Sequence, residues 1–172
     1  MYLYGSFEHK YALDAVAFLR ANGFLTQSQV TLLDVGENIG VTSVGLIRAG
    51  MVKQAIAFEP EPGNFRLLQQ NVDQNGLAER VQCLQVAAGE GHSLLTMELS
   101  RENFADHRVR TTVPAILVEK HGESKRDTIE VRGVPLDDVP QIRELDETTR
   151  SGGGLLWIDV RGWVRRLRIQ RC

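Results

Sequence analysis

The chain has only two cysteines in 172 residues, Cys83 and Cys172. One falls in a predicted strand and the other at the last position, so they make neither a disulfide framework nor a metal site. Cys83 is expected to pack in the core. Histidine is scarce as well. His9, His92 and His121 have no carboxylate or cysteine at ligand spacing, and no metal is expected. No run reaches the roughly eighteen apolar residues of a membrane span. The N-terminus lacks the basic-then-apolar layout of a signal peptide, so the expected location is cytoplasmic, with no membrane span. A serine, histidine and acid arrangement or an activated cysteine is also missing, which removes covalent-nucleophile chemistry from consideration.

What is present, at 42% hydrophobic, is enough apolar material for one buried core and a regular alternation of elements. Residues Glu8 to Arg20 carry Tyr11, Ala12, Ala15, Val16, Phe18 and Leu19 at near-helical spacing, with Asn22-Gly23 as a stop. A strand is expected over Val30–Val35, a helix from Gly40 to Gly50, and a strand over Gln54–Phe58. A helix over Gly63–Gln74 follows, ended by Asn75-Gly76, then a strand over Arg80–Val86. This β-α-β-α-β order predicts an α/β fold with a Rossmann-like, doubly wound, mainly parallel sheet. One domain is expected: residues 1–29 as a helical lead-in, 30–160 as the core with an inserted hairpin at about 90–133, and 161–172 as a basic tail.

The chemistry concentrates where strands end. After Val30-Thr31-Leu32-Leu33 comes Asp34-Val35-Gly36-Glu37-Asn38-Ile39-Gly40, and the second strand ends in Glu59-Pro60. Acids at the carboxyl ends of adjacent parallel strands lie where open α/β sheets bind ligands. The loop reads D-x-G-x-x-x-G and not the dinucleotide fingerprint G-x-G-x-x-G, because Asn38 takes the middle glycine's place. Glu37 would set its negative charge against a pyrophosphate. An acidic loop suits a phosphate-free, cationic sulfonium, so S-adenosylmethionine is the expected cofactor. Gly36, Asn38 and Gly40 shape the loop that is expected to bind the cofactor. Glu59 is expected to accept hydrogen bonds from both ribose hydroxyls, and Asp34 to hold the loop or the amino group of the methionine part.

The segments LLDVGENIGVTSVGLIRAGMVKQAIAFEPEPGNFRLLQQNVDQNGL, SRENFADHRVR and LLWIDVRG together resemble the FkbM-type methyltransferases, from about Leu32 to Gly162. The resemblance implies a class I fold, dependence on S-adenosylmethionine, and transfer of the methyl to oxygen on a sugar, glycan or polyketide-like natural product. It implies a small-molecule or glycan acceptor as partner. The family's loop usually reads D-V-G-A-N-I-G, so Glu37 departs from the common alanine. In class I methyltransferases the turn after the third strand lies near the adenine, where small Ala87 and Ala88 would leave room for the base. The chain is short for a seven-stranded sheet of this class.

Two further candidates lie in the later half. Asn103-Phe104-Ala105-Asp106-His107-Arg108-Val109-Arg110 gathers an amide, a carboxylate, an imidazole and two guanidiniums. His107 could take the acceptor proton, and the arginines could hold an anionic acceptor. Leu155-Leu156-Trp157-Ile158-Asp159-Val160 reads as a fourth strand, which brings Asp159 toward the transferring methyl; by resemblance this is the family's I-D-V-x-G motif, with Arg161 where glutamate or glutamine is usual. His92–Leu99 and Thr128–Gly133 read as the two strands of the inserted hairpin or edge ribbon.

From Arg161 to Cys172 the chain has five arginines and no acid, and removing this tail would take the formal net charge from -2 to -7. Two readings stand. One is a basic arm for nucleic acid or an anionic surface, on which the chain would be a nucleoside- or nucleic-acid-binding module without catalysis. The favoured one is a frameshift or truncation after about Gly162, with nucleic acid not expected as a partner. Allowed codons for Trp163 to Cys172, read one base later, give Gly-Tyr-Glu-Gly-Tyr-Ala-Phe-Lys-Gly, which is similar to the family's continuation. On that reading the sheet is incomplete at its C-terminal end and activity as translated is in question.

Overall fold

The computed structural model describes residues 5–100, 106–110, 126–145 and 153–160. The expectations for 101–105, His121 and the arginine-rich tail lie outside the described residues. Helix α1 spans Gly5–Ala21 and is followed by β1 (Thr31–Val35), α2 (Val41–Arg48), β2 (Gln54–Phe58), α3 (Pro62–Gln74) and β3 (Val81–Leu84). After these come β4 (Ala87–Ala88), β5 (Ser93–Leu99), β6 (Arg108–Val109), β7 (Asp127–Val134), a short 3-10 turn at Leu136–Asp138, α4 (Pro140–Arg143) and β8 (Gly154–Ile158).

The main sheet has the order β3-β2-β1-β8 with every pairing parallel, as the β-α-β alternation predicts. Leu33 of β1 lies between Ile56 and Leu156, and Val35 between Phe58 and Ile158. Successive side chains point to opposite faces, so Leu32 packs with Ala12, Val16, Leu46 and Leu68 of the three helices. On the other face Val35, Ile56 and Phe58 pack with Val86, Val134 and Leu136. Both faces are covered, which explains the near-continuous apolar runs of these strands.

Helix ends follow local chemistry. Glu61 caps α3 by accepting the Asn64 N–H at 2.6 Å, and Pro62 fills the first turn, where its missing N–H costs nothing. Asn22-Gly23 and Asn75-Gly76 close α1 and α3 as their left-handed glycines require, with φ of 74° at Gly23 and 66° at Gly76.

The structure departs from the expected hairpin in one respect. β5 and β7 do pair antiparallel, from Ser93 opposite Gly133 to Leu99 opposite Asp127. They join β4 and β6 in a separate four-stranded sheet, β4-β7-β5-β6. The third strand also ends earlier than its apolar run suggests. A tight turn, in which Val86 N–H reaches Leu84 O at 3.0 Å, breaks the run and sends Ala87 and Ala88 into this second sheet beside Gly133 and Val134. Local periodicity does not encode that change of partner. Among the described residues no helix is long and apolar enough to cross a membrane.

Candidate functional site

The loop between β1 and α2 is a left-handed turn. Gly36, Asn38 and Gly40 have φ of 92°, 58° and 96°. A Cβ on Gly36 would lie 2.2 Å from the carbonyl oxygen of Asp159, so only glycine lets β8 close this tightly on the loop. Backbone bonds lock the strand ends together. The N–H groups of Gly36 and Glu37 both donate to Phe58 O, at 3.0 and 3.1 Å, and Asp159 N–H donates to Val35 O at 3.0 Å.

A pocket opens at these strand ends. Its floor is formed by Gly36, Asn38 and Glu59, its far wall by Ala87, Ala88, Met97, Arg108 and Val109 of the second sheet with Val86 and His107 beside them, and Asp159 lines it as well. Six of the residues singled out as donor-binding or catalytic from sequence, Gly36, Asn38, Glu59, Ala87, His107 and Asp159, therefore meet in one cavity. Gly40 and Asp34 do not line it. Gly40 turns the chain into α2, where a Cβ would press to 3.1 Å from Leu68.

Glu59 is 5% exposed. One carboxylate oxygen accepts Asn38 N–H at 3.0 Å and the other Glu61 N–H at 2.8 Å. Burial pushes its pKa up to about 7 against the pull of these two bonds. Each oxygen keeps a further lone pair for a ligand hydroxyl. Asn38 Oδ1 is also buried at the pocket with no partner.

Asp34 and Glu37 lie beneath the loop. Sequence reasoning placed Glu37 facing the ligand. Its carboxylate instead turns back to α2, where one oxygen accepts Thr42 N–H at 3.1 Å and Ser43 N–H at 3.2 Å, and the other accepts Ser43 N–H at 3.2 Å. Those amides have no partner within a helix and attract an acid. Nothing in the local sequence marks this cap, because the capping acid stands outside the usual position next to the helix. Asp34 is buried beside Glu37, and its pKa is raised well above the ordinary carboxylate value by burial and by Glu37. It is placed to hold the loop and not to meet a ligand amino group.

On the second sheet, Glu98 gathers both arginines of the polar run. Arg108 Nε reaches one of its oxygens at 2.9 Å and Arg110 Nε the other at 2.8 Å, and its pKa is lowered despite the desolvation that opposes this. The arginines expected to hold an anionic acceptor thus share their charge with a protein carboxylate, and Arg108 also lines the pocket. Asp106 is tied to Arg126 at 2.6 Å. His107 Nδ1 accepts Ser100 N–H at 3.0 Å, which places the proton of the neutral ring on Nε2. Burial lowers its pKa. In that tautomer the neutral ring carries its donor at Nε2, whereas the sequence suggests His107 as a base. Asp159 is exposed at the mouth of the pocket. His92, without a partner at ligand spacing in sequence, meets Asp138 across the fold at 3.0 Å. Among the described residues no group of three or more histidines, cysteines or acids is arranged to hold a metal.

The residues present fit an adenosyl-sulfonium ligand. Acceptors at Glu59 and Asn38 face the cavity, small alanines line the wall, and the α2 amides that would take a phosphate are already occupied by Glu37.

Comparison with known proteins agrees with this. Residues 34–163 match the family model described as the methyltransferase FkbM domain. Solved structures with partial likeness include the C-terminal domain of precorrin-6Y C5,15-methyltransferase from Rhodobacter capsulatus, at 27% identity over 38% of this chain and 35% of that one, with a TM-score of 0.33. The S-adenosylmethionine-dependent methyltransferase SibL is 26% identical over 45% of this chain and 22% of its own, with a TM-score of 0.34. TrmK from M. capricolum, in complex with S-adenosyl-homocysteine, is 18% identical over 38% and 30%, with a TM-score of 0.31. The chain thus spans about a third or less of the length of these structures. No curated protein matches it. With the family model covering most of the chain, from the acid that ends β1 past the end of β8, this protein belongs to the FkbM methyltransferase domain family, whose members are of the S-adenosylmethionine-dependent class.

Proposed function

We propose that the chain binds S-adenosylmethionine at the ends of β1, β2 and β8 and transfers its methyl group to a hydroxyl oxygen of a sugar, glycan or natural-product acceptor. The observation that carries the donor half is Glu59, a buried acid at the end of β2 that faces a cavity walled by Ala87 and Ala88. The acceptor class is supported by the resemblance of the sequence motifs to the FkbM-type methyltransferases.

When bound, the donor supplies a methyl already activated by the positive sulfur, so the protein's task is placement, exclusion of water and removal of the hydroxyl proton. Glu59 holds the ribose, and the alanine wall receives the base. Asp159, exposed at the mouth, takes the acceptor proton and passes it to solvent. His107, with its proton on Nε2, donates to an acceptor oxygen and orients it.

The test is incubation with S-adenosylmethionine and a panel of sugar, glycan and polyketide-type hydroxyl acceptors, with S-adenosylhomocysteine and methylated product quantified by mass spectrometry. Asp159→Asn should lower kcat and leave donor affinity close to wild type. A chain that methylates only nitrogen acceptors would contradict the oxygen assignment.

A further inference from the structure

Glu37 does not itself line the pocket, yet it is 4% exposed and sits between two residues, Gly36 and Asn38, that do. Its oxygens accept the Thr42 and Ser43 amides of α2. The neighbouring Asp34 carboxyl lies within hydrogen-bond reach of it, and Asp34 Oδ2 is buried with no partner. The acid that receives helix amides keeps the charge, and the acid that receives none keeps the proton. Burial raises the pKa of both acids, that of Asp34 well above the ordinary carboxylate value, while the Thr42 and Ser43 amides oppose the rise at Glu37, so a single charge on the pair sits on Glu37.

The groups that face this charge do not cancel it. Glu59 at the end of β2, with Glu61 next to it, and Asp159 after β8 are acids, and Cys83 on β3 is a thiol whose pKa is pushed up to about 11 by burial first, with Glu37 adding to it. Among the described residues no lysine, arginine or histidine pairs with Glu37. The α2 amides hold this charge but no cationic side chain neutralises it, and a buried charge is poorly screened by salt.

Resting on the donor reading, we propose that Glu37 makes this pocket selective for the cationic methyl donor over its neutral thioether product. The charge beneath Gly36 and Asn38 attracts a sulfonium. Once the methyl has gone and sulfur is neutral, that attraction ends, and product leaves more readily than donor. Glu37 acts through the pocket floor as a specificity-determining residue and touches neither ligand.

The test is calorimetric titration of wild type, Glu37→Gln and Asp34→Asn with S-adenosylmethionine and S-adenosylhomocysteine. Both ligands share the adenosine and amino-acid parts and differ in the methyl and its positive charge, so the change in their affinity ratio when Glu37 is neutralised reports the charge. Glu37→Gln should move this ratio toward the product by about tenfold, the order expected for one buried charge. Asp34→Asn, which still donates to Glu37, should leave the ratio within about twofold of wild type. If Glu37→Gln weakens both ligands equally, Glu37 is only a helix cap and the proposal is overturned. Should that variant fail to fold, Glu37→Ala, which restores the residue common at this position in the family, is titrated in its place; it should move the ratio the same way, and an unchanged ratio overturns the proposal. A folded wild-type chain that binds neither ligand overturns the donor reading as well.

Discussion

The Glu59 carboxylate accepts the backbone N–H of Asn38 at 3.0 Å, 21 residues back in the chain. The acid that ends β2 and the turn that follows β1 are thereby held as one unit, and the ligand's acceptor group is set in place before any ligand arrives.

Burial raises the Glu59 pKa from 4.5 to about 7, which makes the ligand-free fold sensitive to pH. The folded state prefers the protonated acid. Its contribution is fully present below pH 4.5 and is lost as pH rises through about 7, a swing of about 3 kcal/mol. Urea denaturation of the ligand-free chain at pH 5 and pH 8 should show this fall in wild type and a flatter response in Glu59→Gln. Equal slopes in the two proteins would place the titration elsewhere.

Gly36→Ala should cost at least about 2 kcal/mol, because the new Cβ meets the Asp159 carbonyl and φ is left-handed. Gly50→Ala is the control. It has φ of 70° but open space around it, so about 1 kcal/mol is expected. If denaturation midpoints show equal losses, β8 does not press on the loop as described.

His107 should be found as the Nε2–H tautomer, with a titration midpoint below that of an ordinary histidine, because Ser100 N–H occupies Nδ1 and the ring is partly buried. Long-range proton–nitrogen correlation spectra read both properties directly. A ring with its proton on Nδ1 would restore the general-base role to His107.

Removing Glu98 leaves Arg108 and Arg110 side by side without their shared carboxylate. Glu98→Gln should destabilise the second sheet by about 1 kcal/mol, since both arginines are partly exposed and water screens them. The Glu98 pKa is lowered, so its contribution is present above the ordinary glutamate value and is lost as pH falls below it. A variant whose stability differs from wild type equally at pH 3 and pH 7 would show that the pairing does not contribute.

Much of the donor side is legible in the sequence because it depends on short-range patterns. Apolar runs ending in Asp34 and Glu59, the Gly36 and Gly40 turn, and the helix stops at Asn22-Gly23 and Asn75-Gly76 are all local signals. The second sheet and the far wall of the pocket depend on long-range pairing. Glu98 meets Arg108 and Arg110 only because β6 folds back on β5, and Ala87 lines the pocket only because β4 leaves the first sheet for the second. Side-chain direction is the other gap. That Glu37 turns to α2 while Asn38 faces the cavity is set by left-handed backbone at Gly36 and Asn38, which residue type suggests but does not orient.

The most direct measurement is calorimetric titration of the folded chain with S-adenosylhomocysteine, beside Glu59→Ala checked for folding by circular dichroism. Saturable binding by wild type, weakened about ten- to a hundredfold in Glu59→Ala through loss of charge-assisted hydrogen bonds, is the predicted result. A folded wild-type chain that does not bind, or a Glu59→Ala variant that binds as tightly, would contradict the assignment of this pocket to the methyl donor.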